Sequence, residues 1–212
     1  MRIFRLPVIL PVIMTLVLFL SGERAPGFAA SNPFTGLSAQ EINALLAGKI
    51  TISEEQVSGA ANDHQKNIVA RLIVDRPIEN VWQVVSNQPL MFSGDPRVKS
   101  VQVVDRLSPF EEHVAYHITI GRMLPDFIYT TQVRYNKPHE ASFTRISGSF
   151  RDFKSQCRLY SIEQGRKTFI TYSMYIDFGF FIPKFVVRAI LKQDIPGIAE
   201  SVRQVVYEKF GK

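Results

Sequence analysis

Residues 66–85 read KNIVARLIVDRPIENVWQVV, and within them the apolar period changes from two to between three and four. Ile68, Ala70, Leu72 and Val74 alternate with their neighbours, as in a strand that buries one face. Pro77 follows, its φ already suited to a first helical turn, and Ile78, Val81, Trp82 and Val85 then recur at helical spacing up to Ser86. A strand that passes at once into a short amphipathic helix starts the pattern that decides the fold.

Downstream, Pro89 and the Gly94-Asp95-Pro96 cluster make an irregular stretch around Leu90, Met91 and Phe92. Strands are then predicted at 98–105, 112–120, 127–135, 141–146, 155–162 and 168–178, separated by turn chemistry at Pro109, 121–125, Pro138, Gly148 and Gly165. Short connectors favour hairpins, so the strands form an antiparallel meander. From Pro183 to Phe210, Val187, Ile190, Leu191, Ile195, Ile198, Val202, Val205 and Val206 stripe a long helix, with a kink or restart expected at Pro196. The fold class is α+β: a curved seven-stranded antiparallel sheet wrapped around a long C-terminal helix. Such an arrangement encloses apolar space.

The rest of the chain carries other signals. Arg2 and Arg5, the apolar run Val8–Leu20 and the small residues Gly27, Ala29 and Ala30 predict a signal peptide over 1–30. The protein is therefore expected to be exported, periplasmic or secreted. An apolar run of roughly 13 residues is short for a membrane-spanning helix, which makes a retained N-terminal membrane anchor the lesser expectation. Residues 31–65 read as an N-terminal arm. In it Ser38 and Glu41 form a capping box, Ile42, Leu45 and Leu46 stripe a short helix, and Gly48 ends it. The domain proper is expected over 66–212, after the breaker-rich stretch Ser58–Gln65.

Net charge is +6 over 212 residues, two units of it from the first thirty, and the basic residues are scattered among acids. No nucleic-acid footprint is expected from that distribution. The lone cysteine, Cys157, has no partner for an internal disulfide and is expected as a buried small hydrophobe.

The stretch Val74-Asp75-Arg76-Pro77-Ile78-Glu79-Asn80-Val81-Trp82 resembles the opening of START-like proteins of the polyketide cyclase/dehydrase and coenzyme Q-binding group. Gly148-Ser149-Phe150-Arg151-Asp152 before a strand, Gly165–Thr168 with Tyr172, and Pro183 ahead of the closing helix are similar to later pieces of that family. The chain departs from it at Cys157, where a large aromatic is usual, and at Gly94-Asp95-Pro96. The resemblance implies a helix-grip fold whose members bind lipids, quinones, sterols or polyketides between sheet and helix.

Alternation then nominates the cavity lining. In the expected third strand Tyr116 and Ile118 share the inner face; in the fourth, Tyr129, Thr131 and Val133 do so. Phe143 belongs to the fifth strand, and Ile170, Tyr172 and Met174 to the last. Trp82, Met91 and Phe92 are expected to close the cavity from the short-helix side, and Phe185, Ile190 and Leu191 from the long helix. Buried phenols need partners, which a ligand head group can supply. Met123 and Leu124 in one loop, and Phe180 and Phe181 in another, are candidate gate residues for transient contact with a membrane surface. There Lys184, Arg188 and Lys192 would meet anionic head groups.

Catalytic and metal readings are weaker. His113 and His117 on a strand lie about 13 Å apart, too far to grip one ion, so no metal site is expected. Asp126, Asp152 and Asp177 have no partner at a telling spacing. No P-loop, dinucleotide fingerprint or G-x-S-x-G elbow is present, and no cofactor is expected. The expectation is a non-catalytic, monomeric binder of a hydrophobic small molecule such as a lipid or isoprenoid quinone. The alternatives are a cyclase/dehydrase-type enzyme using a cavity tyrosine with Asp126 or His117, or a cell-envelope interaction module.

Overall fold

The strand-then-helix opening at 66–85 forms as its periodicity dictates and heads an antiparallel sheet closed over by the C-terminal helix. This computed structural model describes residues 32–56, 66–119, 124–179 and 182–212. The expected signal peptide (1–30), the expected domain start at 58–65, and Met123, Phe180 and Phe181 lie outside the described residues. In chain order the elements are α1 (Ala39–Leu46), β1 (Thr51–Gln56), β2 (Lys66–Val74), α2 (Ile78–Val85) and α3 (Gln88–Met91). Then come β3 (Val98–Ser108), β4 (Glu111–Thr119), β5 (Asp126–Asn136), β6 (Glu140–Gly148), β7 (Asp152–Ile162), β8 (Lys167–Asp177) and α4 (Lys184–Phe210).

The strands form one sheet in the order β1-β2-β8-β7-β6-β5-β4-β3, antiparallel throughout and open between β1 and β3. Strands β3 to β8 pair with their sequence neighbours, and β8 returns beside β2, with Leu72 opposite Ile170 and Ala70 opposite Tyr172. The sheet has eight strands where seven were expected. The eighth, β1, lies in the expected arm and pairs Ile52 with Ala70 and Glu54 with Ile68. Its sequence TISEEQ has one large apolar residue, so no hydrophobic alternation announces it; the free edge of β2 provides its reason to extend.

The arm's helix forms as its capping box predicts. Ser38 Oγ accepts from the Glu41 amide at 3.3 Å, and Glu41 Oε2 accepts from the Ser38 amide at 2.9 Å. Its buried face meets the outside of the sheet, where Leu45, Ile73 and Phe169 form a small second core with the Phe34 ring tilted against Phe169, centroids 5.0 Å apart. Removing Leu45 from water contributes about 1.5–3 kcal/mol. The arm thus covers apolar side chains on the β2–β8 outer face.

The main core lies on the other face, between the sheet, α2 and α4. Val81, Trp82 and Val85 of α2 and Ile195, Ala199, Val202, Val205 and Val206 of α4 are buried against Ile68, Leu72, Val114, Val133 and Leu159. The helix continues through Pro196 without a restart. The residue after it, Gly197, allows close approach: a Cβ there would meet the Arg97 guanidinium at 2.9 Å.

Candidate functional site

Where β3–β8 curve past α4, a cavity of about 60 Å³ remains. Its apolar wall includes Phe92, Ile118, Phe143, Phe153, Met174 and Ile195, and its polar wall Asp95, Arg97, Thr119, Ser155 and three phenols, Tyr116, Tyr129 and Tyr172. Strand register builds the floor: Phe143 of β6 lies opposite Ser155 of β7, which lies opposite Met174 of β8. A small serine between two large side chains leaves the hollow. Tyr116 and Tyr129 sit opposite each other across β4 and β5, their rings stacked at 5.0 Å, and Phe92 meets Tyr116 edge-on at 5.7 Å. Beyond them Phe127, Phe150, Phe153 and Phe178 form an aromatic pile at the same end.

Burial is the main reason the hydroxyls of Tyr116, Tyr129 and Tyr172 are held well above the ordinary tyrosine range, so all three are neutral at physiological pH. A chain of hydrogen bonds runs away from Tyr116 into the solid part of the core. Tyr116 Oη donates to Gln88 Oε1 at 3.1 Å, and Gln88 Nε2 donates to Tyr135 Oη at 3.2 Å. Tyr135 Oη donates in turn to Glu112 Oε1 at 2.7 Å. The Glu112 carboxylate is buried, and its other oxygen accepts from Arg106 at 3.2 Å. Cys157 lies in the inner face of β7, its thiol pushed up to about 12 chiefly by burial.

Among the described residues, the charged pair on the cavity wall is Asp95 with Arg97. Asp95 is 4% exposed, and Arg97 donates to it through its backbone amide at 3.0 Å, Nε at 2.8 Å and a terminal nitrogen at 2.6 Å. The Gly94-Asp95-Pro96 turn therefore seats a carboxylate at the cavity.

The expected lining divides. Phe92, Tyr116, Ile118, Tyr129, Phe143, Tyr172 and Met174 reach the cavity wall. Trp82, Met91, Thr131, Val133 and Ile170 are buried in solid core and do not line it. Phe185 is 72% exposed, a correction to its expected place in the lining. Ten residues before Ile195, it lies about 80° round the helix from that residue at 100° per step. Nothing is described of the Ile190 and Leu191 side chains. Leu124 of the expected gate is half-buried against the main core, and Lys192 pairs with Glu54 of β1 at 2.9 Å. His117 and Asp126 point away from the phenols: Asp126 accepts from Lys99, from His117 Nε2 at 3.0 Å and from Thr119 at 2.8 Å. These contacts, Lys99 first, hold the Asp126 carboxyl well below the usual carboxylate range.

Residues 74–203 match the family described as polyketide cyclase / dehydrase and lipid transport. The chain belongs to that family. Among solved structures, the human StAR-related lipid transfer protein 5 is similar over 78% of this chain and 84% of its own, with 13% identity and a TM-score of 0.61. The Zhui aromatase/cyclase from Streptomyces sp. R1128 is similar over 69% of this chain and 96% of its own, with 10% identity and a TM-score of 0.61. A START superfamily protein from Mycobacterium smegmatis aligns over 68% and 98%, with 13% identity and a TM-score of 0.60. Identities this low establish a shared fold, the START-like helix grip. No curated protein matches the sequence significantly. In this family member the space between sheet and helix is narrow.

Proposed function

We propose that the protein binds a hydrophobic small molecule, of the lipid or isoprenoid quinone class, in the cavity between the sheet and α4, and performs no chemistry on it. The observation that carries this reading is the cavity wall: aliphatic and aromatic side chains with a few convergent polar groups, at the position where the fold encloses space. Affinity then comes from partition, about 0.8 kcal/mol for each methylene removed from water. At about 60 Å³ the hollow is far smaller than the roughly 300 Å³ at which ligand pockets begin, so loading a guest requires the wall to part. The cyclase-type alternative needs a group that exchanges protons near neutrality. Tyr116, Tyr129 and Tyr172 are held far above that range, and Asp95 is engaged by Arg97.

The test is to purify the protein from its own cells, extract it with organic solvent and identify what it carries by mass spectrometry. A hydrophobic compound near one equivalent is expected. An empty protein that also refuses lipid and quinone analogues overturns the reading. We propose further that residues 1–30 direct export. Cell fractionation with N-terminal sequencing checks this, and an intact N-terminus in a cytoplasmic fraction refutes it.

A further inference from the structure

Two buried hydroxyls on the inner face of the sheet, Thr131 Oγ1 and Ser155 Oγ, find no hydrogen-bond partner among the described residues. Leaving a buried hydroxyl unpaired is costly, and apolar replacements of similar shape were available for both positions. They differ in one respect. Thr131 is fully buried in solid core, whereas Ser155, 7% exposed, is part of the cavity wall. Its neighbours across the strands are Phe143 and Met174, which have no strong hydrogen-bonding group to offer. The Tyr172 phenol, two residues along on β8, comes near enough to the Ser155 hydroxyl for that hydroxyl to draw the phenol's pKa down somewhat, but the pair does not meet hydrogen-bond geometry.

We infer that Ser155 is the polar anchor of the cavity, and that the guest it selects is a neutral hydroxylated molecule in preference to an anionic one. The inference rests on the hydrophobic-ligand reading and names the chemistry of its guest. Three features of the wall agree. Ser155 both donates and accepts, so a guest hydroxyl completes it in either direction. Tyr116 spends its proton on Gln88, so what its hydroxyl can offer a guest is an acceptor, which suits a guest donor. Asp95 places a buried carboxylate on the same wall, and Arg97 meets it through three nitrogens. An anionic guest would face that carboxylate at low dielectric, and the cation among the described wall residues, Arg97, is already paired with Asp95.

The full-length protein is titrated by calorimetry at pH 7 with three probes of one shape: 2-naphthol, naphthalene and 2-naphthoate. Wild type is expected to bind 2-naphthol about tenfold more tightly than naphthalene, the effect of one hydrogen bond that completes a buried group, and 2-naphthoate least well. Ser155→Ala should bring 2-naphthol down to the affinity of naphthalene, with naphthalene itself unchanged. Thr131→Val should leave all three affinities as in wild type. Both variants lose an unpaired buried hydroxyl, so melting temperatures at or above wild type are expected, which separates lost binding from lost folding. A 2-naphthol to naphthalene ratio unchanged in Ser155→Ala overturns the inference alone, as does 2-naphthoate binding as tightly as 2-naphthol. Wild type binding none of the three overturns the hydrophobic-ligand reading and this inference with it.

Discussion

The interior under α4 has two ends built from the same strands, one solid and one hollow. At the solid end Trp82 packs edge-on against Tyr135 at 5.9 Å, and Glu112, Tyr135 and Gln88 meet each other's hydrogen-bonding needs. At the hollow end the residues opposite one another are Phe143, Ser155 and Met174, and the serine hydroxyl stays unpaired among the described residues. Alternation places side chains inward at both ends alike. The difference lies in side-chain size and in whether each buried polar atom finds a partner inside the chain. One end therefore holds the fold together, and the other is left with capacity to interact with something else.

The contrast is broken most severely by Trp82→Ala, which should cost about 3–5 kcal/mol in chemical denaturation because solid core does not collapse around so large a deletion. A loss under 1 kcal/mol would show that the solid end is not solid. Next, Glu112→Ala strips the Tyr135 hydroxyl of its acceptor and should cost about 1–3 kcal/mol. If Tyr135→Phe in that background costs as much again, the two residues do not act through their hydrogen bond. Ser155→Val sharpens the contrast from the hollow side. Filling the void and removing the unpaired hydroxyl should stabilise the protein by about 0.5–1 kcal/mol while weakening uptake of a hydrophobic dye. A variant that is less stable and binds the dye as before refutes the assignment of the hollow.

The smallest effect concerns the Asp126 cluster, which touches the hollow end through Thr119. Its carboxyl is depressed, so its contribution is complete above the ordinary carboxylate pKa of about 4 and is lost as pH falls below it. The stability difference between wild type and Asp126→Asn should be constant above about pH 5 and should narrow on acidification. A difference that widens in acid would show that Asp126 is not held as an anion by Lys99, His117 and Thr119.

Much of this was legible in the sequence where one periodicity governs a whole element. Alternation at 66–74 and 167–177 and the apolar stripe of α4 were sufficient for the core, and Ser38 with Glu41 was sufficient for α1. The cavity wall was read less completely. Phe153 was not nominated because the strand was expected to begin at Ser155 when it begins at Asp152, and Ser155 was not because no residue of that strand was put forward for the lining. Extending the alternation of Cys157 and Leu159 two residues at a time toward Phe153 would have found both. Asp95 and Arg97 sit in a loop without periodicity, and no local signal states that an acid two residues before an arginine will be buried against a distant helix. β1 was missed because a polar edge strand has no hydrophobic face to announce it.

What the sequence alone determined is the succession of elements and which face of each is apolar. Both follow from local geometry, where a side chain's direction depends only on its position along strand or helix. What only the tertiary structure decided is where the packing fails to close. A void of about 60 Å³ depends on the summed volumes of side chains from six strands and a helix, and an unpaired Ser155 hydroxyl depends on which neighbours the register sets opposite it. Neither is a property of any single segment, since residues far apart in the chain must first be brought together before a gap between them exists.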